Sequence, residues 1–230
     1  MVSDDPMGPY KMCNPVLKNP GHFFGVGGNN HHCMFEFGGE YYITYHSRIL
    51  EENMGFIKGY RCTGIDRLVI NDAGEPAKSI ATRRGVEQVK SFDPYKETKA
   101  VTMSNAAGIA TRQFGENAVK YGSGDMIVTD ITEGGWISVT GVNFGQDGAK
   151  RISVSALGSG KRADGSSAKI LVCLDSPEEK PVGAVDVGAE DSNGLVTISA
   201  DFGVNLVGRH DVYFVFEGEG YEFYSWKFSK

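Results

Sequence analysis

His31 and His32 follow a Gly/Asn-rich stretch, NPGHFFGVGGNN, and are the first residues in this chain to suggest metal chemistry. Adjacent residues on an extended strand point to opposite faces, so one ion could take both imidazoles only from a loop. The plainer expectation is one histidine in a loop hydrogen bond and the other in solvent, with His22 and His46 carrying no further signal. Cys13, Cys33, Cys62 and Cys173 lack CxxC or Cys/His zinc spacing, so a zinc site is not expected. Cys173 reads as a small core residue, while one bridge among the other three stays open. Acid/base chemistry has only scattered carboxylates to draw on. Glu36, Glu40, Glu51, Glu52 and Asp66 are expected at solvated strand edges and loops. Stacking chemistry has better material in Tyr221, Tyr224 and Trp226, although Trp226, inside SWKF, is expected in the core.

These groups must be held by strands. From Arg151 onward the chain is a succession of short apolar runs split by Gly, Asp, Asn, Ser or Pro: 151–157, 169–174, 181–187, 195–202, 210–217 and 221–228. Runs of that length, rich in Val, Ile, Phe and Tyr, spell antiparallel strands. Ile152, Val154 and Ala156 alternate with Arg151, Ser153 and Ser155, so one face is buried and the other wet. The predicted fold is all-β, a β-sandwich of jelly-roll type. Such a fold offers a concave sheet face and loop ends for a ligand, so binding is the first hypothesis.

Composition narrows the partner. The net charge of −6 disfavours a nucleic-acid backbone or an anionic membrane, both of which need concentrated Lys and Arg. No apolar run reaches membrane-spanning length. The opening, MVSDDPMGPY, has neither the basic nor the apolar region of a secretory leader. A polar connector ending in Asp-Pro suggests two modules, 1–85 and 95–230, joined by a linker at 86–94. In the first, strands are expected at Cys33–Phe37, at Tyr41–His46 after a Gly38-Gly39 turn, and near Leu68–Asn71, with an irregular insert between the last two. Strand, turn, strand, loop, strand is most of a propeller blade, which alone buries too little apolar surface to be stable.

Three segments, SDDPMGPY, NPGHFFGVGGNNHHCMFEFGGEYYITYHSR and GYRCTGID, resemble the last part of the five-bladed propeller of family 43 glycoside hydrolases, the arabinofuranosidases and β-xylosidases of arabinoxylan. The resemblance covers 1–77. It implies that His31 or His32 sits at a pocket centre near a bound calcium and that Arg61 reaches the same pocket. It also implies that the catalytic carboxylates come from earlier blades, which these 230 residues do not contain. Glycoside hydrolysis needs two positioned carboxyl groups flanking the bond. The acids of the first module do not fall at those places, so no hydrolysis is expected of this chain alone.

The second module is similar to a family 6 carbohydrate-binding module over KAVTMSNAAGIAT, MIVTDITEGGWISVTGVNFGQDGAKRISVSAL, ILVCLDSPEEKPVGAV and GRHDVYFVFEGEGYEFYSWKF. The resemblance implies two clefts. At the loop-end cleft the family's sandwiching Tyr and Trp and its Asn correspond to Asp130, Leu195 and Glu222, none of which keeps the chemistry. On the concave sheet face the corresponding Trp136 and Ser138 are retained, with Glu116 in the region of an acidic partner. Trp136 reads equally well as a half-buried packing residue of its strand. Tyr221 adds further aromatic surface. The structural calcium that the resemblance implies would fall to Lys99, Val101 and Tyr224, an ammonium, an isopropyl group and a phenol, so calcium is not expected there.

The expectation is a non-catalytic, secreted carbohydrate-binding fragment of a plant-cell-wall-degrading enzyme, taking xylan or arabinoxylan weakly. Two other readings stay open: a C-terminal part of a family 43 hydrolase active only with its other blades, and a structural module that has lost sugar binding.

Overall fold

A computed structural model describes residues 1–55, 59, 61–115, 125–188 and 194–230. The chain divides into two compact units, Met1–Glu52 with Phe56–Glu87, and Asn53–Gly55 with Gln88–Lys230. No helix among the described residues is long and apolar enough to cross a membrane.

The first unit carries a short helix, α1 (Pro20–Phe24), and a three-stranded antiparallel sheet of β1 (Cys33–Phe37), β2 (Glu40–Ser47) and β3 (Cys62–Leu68), with α2 (Ile49–Asn53) between the last two. Gly38 and Gly39 have φ of +63° and +80°, the pair of left-handed residues that a two-residue hairpin with native twist requires. The third strand lies earlier than the expected Leu68–Asn71. Tyr41 pairs with Leu68 and Ser47 with Cys62, whereas Ile70 makes only an isolated bridge to Pro76. Gly64 opposes Tyr45, and a Cβ there would come within 2.5 Å of the Tyr45 ring, so the strand must carry glycine where the ring lies across it. The core is small: Leu17, Ile43, Tyr45, Leu68 and Ala81, with Val16, Phe23, Phe24 and Ile70 against it. Every residue of β1 is exposed.

The second unit is a sandwich. One sheet has the order β11-β10-β13-β8-β5, from β5 (Asn105–Ala107), β8 (Trp136–Asn143), β10 (Lys169–Leu174), β11 (Gly183–Asp186) and β13 (Arg209–Glu217). The other runs β12-β9-β14-β7-β6, from β6 (Ala110–Phe114), β7 (Asp125–Thr129), β9 (Ala149–Leu157), β12 (Leu195–Leu206) and β14 (Glu222–Ser229), with β4 (Thr98–Lys99) paired to β14. Inward residues of both sheets interdigitate as the alternation predicts. Ile137, Ile152, Val154, Ile170, Phe214, Phe223 and Phe228 are sealed from solvent. Trp226 lies within 5.2 Å of the Phe214 ring and 5.6 Å of the Phe228 ring, a core residue as expected. Cys173 is buried too, and all four cysteines are free thiols.

Residues 88–94, expected as linker, are built into the sandwich. The Gln88 side chain donates to Thr140 O, Phe92 exchanges backbone hydrogen bonds with Gly141 and Asn143, and Phe228 N donates to Pro94 O. Polar composition marks a loop, but a polar backbone pairs with a sheet edge as readily as an apolar one.

Candidate functional site

Alternation along β8 and β13 decides what the outer face of the five-stranded sheet presents. Ile137 and Phe214 pair and point inward, so their neighbours Trp136, Ser138, Tyr213 and Val215 point outward. Trp136 opposes Val215 and Ser138 opposes Tyr213, which sets the two aromatic rings on a diagonal with centroids 5.4 Å apart, edge to face. Leu171 of β10 opposes Val215, and Ala107 of β5 opposes Trp136. The result is a half-exposed apolar row with Trp136 and Tyr213 standing in it. Rings of this kind stack on the C–H face of a pyranose. Burial, then the charges of Asp211 and Asp175, push the Tyr213 phenol up, so it stays protonated as a donor. Tyr213 belongs to no site implied by the resemblance, although the alternation of HDVYFVFE is signal enough to turn it outward.

Ser138 shares this face but is 4% exposed, and its hydroxyl reaches Asn105 O at 3.4 Å. It ties the edge strand β5 to β8 rather than offering a hydroxyl to a ligand. Glu116 lies outside the described residues. Tyr221, expected as aromatic surface, is corrected by its burial. It is 3% exposed, packs on Phe216 and donates its hydroxyl to Lys169 O at 3.2 Å.

The loop-end positions lie elsewhere. Leu195 pairs with Leu157, which pairs with Glu222, so the two candidates flank Leu157 on either side of β9. Glu222 is fully engaged. Arg112 Nε donates to Oε1 at 2.6 Å, the other guanidinium nitrogen bonds Oε2, and Thr129 Oγ1 donates at 2.7 Å. Arg112, against the opposing pull of burial and helped by Thr129, holds the Glu222 carboxyl below the usual range. Asp130, with φ of +49°, is exposed at the end of β7. An ion pair and leucines therefore stand where the resemblance placed a ring sandwich and an amide.

The residues at the implied calcium position do not fit that ion. Lys99 puts its ammonium 2.8 Å from Asp125 Oδ2 and 3.6 Å from the centroid of the Tyr224 ring, and it also bonds the Tyr224 hydroxyl, which donates to Asp125. A cation already sits among the oxygens. Lys99 and then Tyr224 draw the Asp125 carboxyl down to about 2. Glu97 accepts from Ser225 Oγ at 2.8 Å and takes no part. Among the described residues no cluster of three or more His, Cys, Asp or Glu could hold a metal.

In the first unit the two expected histidines do not converge. Asn29 Nδ2 donates to His31 Nε2 at 2.9 Å, and His32 Nδ1 donates to Asn30 Oδ1 at 3.1 Å. Both are exposed, so each has a loop hydrogen bond where one was expected without. His31 instead stands edge to face on His46, centroids 4.9 Å apart. Among the described residues both buried ring nitrogens of His46 lack a hydrogen-bond partner, and burial, then Arg61, then His31, lower its pKa. In the sequence His46 sits inside a strand with nothing around it in the chain to mark it. Arg61 is exposed and bears on this group through its charge.

Two carboxylates expected in solvent are buried. Glu51 is paired with Arg48 at 2.5 Å. Asp66 accepts from Tyr45 OH at 2.7 Å, from Thr82 N at 2.9 Å and from Thr82 Oγ1 at 2.5 Å. Asp66 lines a groove of about 610 Å³, but its lone pairs are committed to holding residue 82 against the sheet.

Residues 99–230 match the family model described as carbohydrate binding module (family 6). An arabinoxylan arabinofuranohydrolase of Paenibacillus polymyxa is 34% identical over 224 residues, 96% of this chain and 34% of that protein. The structure of a glycoside hydrolase family 43 arabinoxylan arabinofuranohydrolase from Bacillus subtilis, in complex with cellotetraose, matches with a TM-score of 0.75 at 34% identity, over 99% of this chain and 46% of that one. A module from Clostridium stercorarium, CsCBM6-3 in complex with cellobiose, matches with a TM-score of 0.51 at 20% identity over 62% of this chain and 99% of its own, a likeness in fold. The chain spans less than half the length of either enzyme.

Proposed function

We propose, from the premise that this chain belongs to the carbohydrate binding module family 6 through residues 99–230, that it binds a xylan-type polysaccharide through the Trp136 and Tyr213 face and does not cleave it. The observation that carries this reading is the edge-to-face pair of half-exposed rings on the outer face of the five-stranded sheet. The likeness to two arabinoxylan-directed proteins supports arabinoxylan as the ligand. Affinity should be weak, with a Kd on the order of 0.1–1 mM. Sugar hydroxyls exchange one set of hydrogen bonds for another, and only the stacked faces add a net gain.

The first unit fits a part of a family 43 propeller, and the buried, paired state of Glu51 and Asp66 supports its being inactive alone. On this reading the module serves a secreted enzyme and needs no calcium, since Lys99 supplies the cation beside Asp125. Affinity electrophoresis through soluble arabinoxylan tests binding. Retardation of the wild type that is lost in Trp136→Ala supports the site, and no retardation of the wild type rejects it, leaving a structural role. Release of nitrophenol from arabinofuranoside or xyloside substrates would contradict the non-catalytic assignment.

A further inference from the structure

Beyond the stacking face, past the end of β13, the loops form a cleft. Two residues along β13 from Val215, on the same outward side, stands Glu217, and Arg162 reaches it at 3.4 Å. Arg162 also lines an open cleft of about 530 Å³, with Glu133, Lys161, Asp164 and Glu219 around it. The walls are tied down. Lys161 and Glu219 exchange both backbone hydrogen bonds at 2.9 Å, and the Glu133 carboxylate accepts from Gly218 N at 2.5 Å. Arg162 N donates to Ser166 O, closing the turn that carries Asp164.

Charge decides what such a cleft can take. Together with Glu217 it holds four carboxylates against two cations, Lys161 and Arg162. Arg162 is paired with Glu217, and Lys161 faces Glu219 across the bridge, where directly opposed side chains share one side. Sugar hydroxyls both donate and accept, so a mixed rim of carboxylate and cation suits a neutral glycan, with charge-assisted bonds to the carboxylates. A uronic acid side group would bring a further negative charge into an acidic rim. At low ionic strength that repulsion acts over the width of the cleft, and at physiological salt it is screened within about 8 Å.

We propose that this cleft is a second saccharide subsite beyond the Trp136 and Tyr213 face, and that it selects neutral arabinoxylan over chains bearing glucuronic acid. The inference rests on the binding face proposed above and adds its selectivity.

The test is affinity electrophoresis of the full chain at low and high NaCl, through neutral arabinoxylan and through 4-O-methylglucuronoxylan. Wild type should favour the neutral polymer by about fivefold at low salt, with the preference shrinking as salt rises. Trp136→Ala should lose both. The double variant Asp164→Asn, Glu219→Gln, with an unchanged melting curve, should bring the ratio near one. Asp164 and Glu219 are exposed, so their isosteric amides leave the packing alone. Equal binding of the two polymers at low salt, with Trp136→Ala still losing both, overturns the selectivity while the binding face stands. A wild-type preference that the double variant keeps overturns the role of the cleft. No retardation by either polymer overturns the binding face and this subsite with it.

Discussion

Lys99 and Asp125 form the cross-link between the first strand of the sandwich and β7, the ammonium 2.8 Å from Oδ2 and held over the Tyr224 ring. One side-chain cation thus joins β4, β7 and β14, a task that a bound metal would perform only at a given metal concentration.

The chelator response follows directly. Millimolar EDTA or calcium should leave the melting temperature of the second unit unchanged, read by near-UV circular dichroism of its two tryptophans. Lys99→Met should lower stability modestly, by about 1 kcal/mol or less, because both partners are about a third exposed and screened. A melting temperature that rises with calcium would contradict the assignment.

Asp125 also sets an acid limb. Its carboxyl is depressed from 3.8 to about 2 in the fold, so the unfolded chain binds the proton more readily. The stabilisation is full above pH 4 and is lost as pH falls from there toward 2. Urea unfolding across that window should show wild type losing stability more steeply than Asp125→Asn.

The two clefts make opposite demands on point variants. Tyr213→Ala should weaken arabinoxylan binding about tenfold, in keeping with the loss of a ring from a buried contact patch. Glu222→Ala should leave binding unchanged while lowering stability by about 1 kcal/mol, since it strands Arg112. Isothermal titration with xylo-oligosaccharides together with urea melts would separate the effects, and a loss of binding in Glu222→Ala would return the ligand to the loop end.

His46 gives the first unit its own pH dependence. Burial holds the ring neutral, with a pKa below 6.5, so unfolding takes up a proton. Stability is therefore full above pH 6.5 and falls as the solution is acidified below it. The His46 Cε1 proton resonance should titrate below 6.5, and His46→Phe should flatten the acid dependence. Titration of His46 at or above 6.5 would refute its burial.

Pattern within single strands was legible in the sequence. Alternation in RISVSAL and HDVYFVFE depends only on the two-residue period of a strand, so the sandwich follows from order alone. Resemblance carried the rest of the family reading, including the loss of ring chemistry at Asp130 and Leu195. The folded chain decided everything that depends on which strand lies beside which. Tyr213 meets Trp136 only because β13 pairs with β8 in one register. Glu222 is spent on Arg112, 110 residues away, Lys99 on Asp125, and Asp66 on Tyr45 and Thr82. Tyr221 looked like surface because its neighbours are Gly and Glu, yet the sheet buries it. Local sequence sets which side of a strand a residue takes, whereas burial and pairing are properties of the partner strand, which the chain supplies from far away.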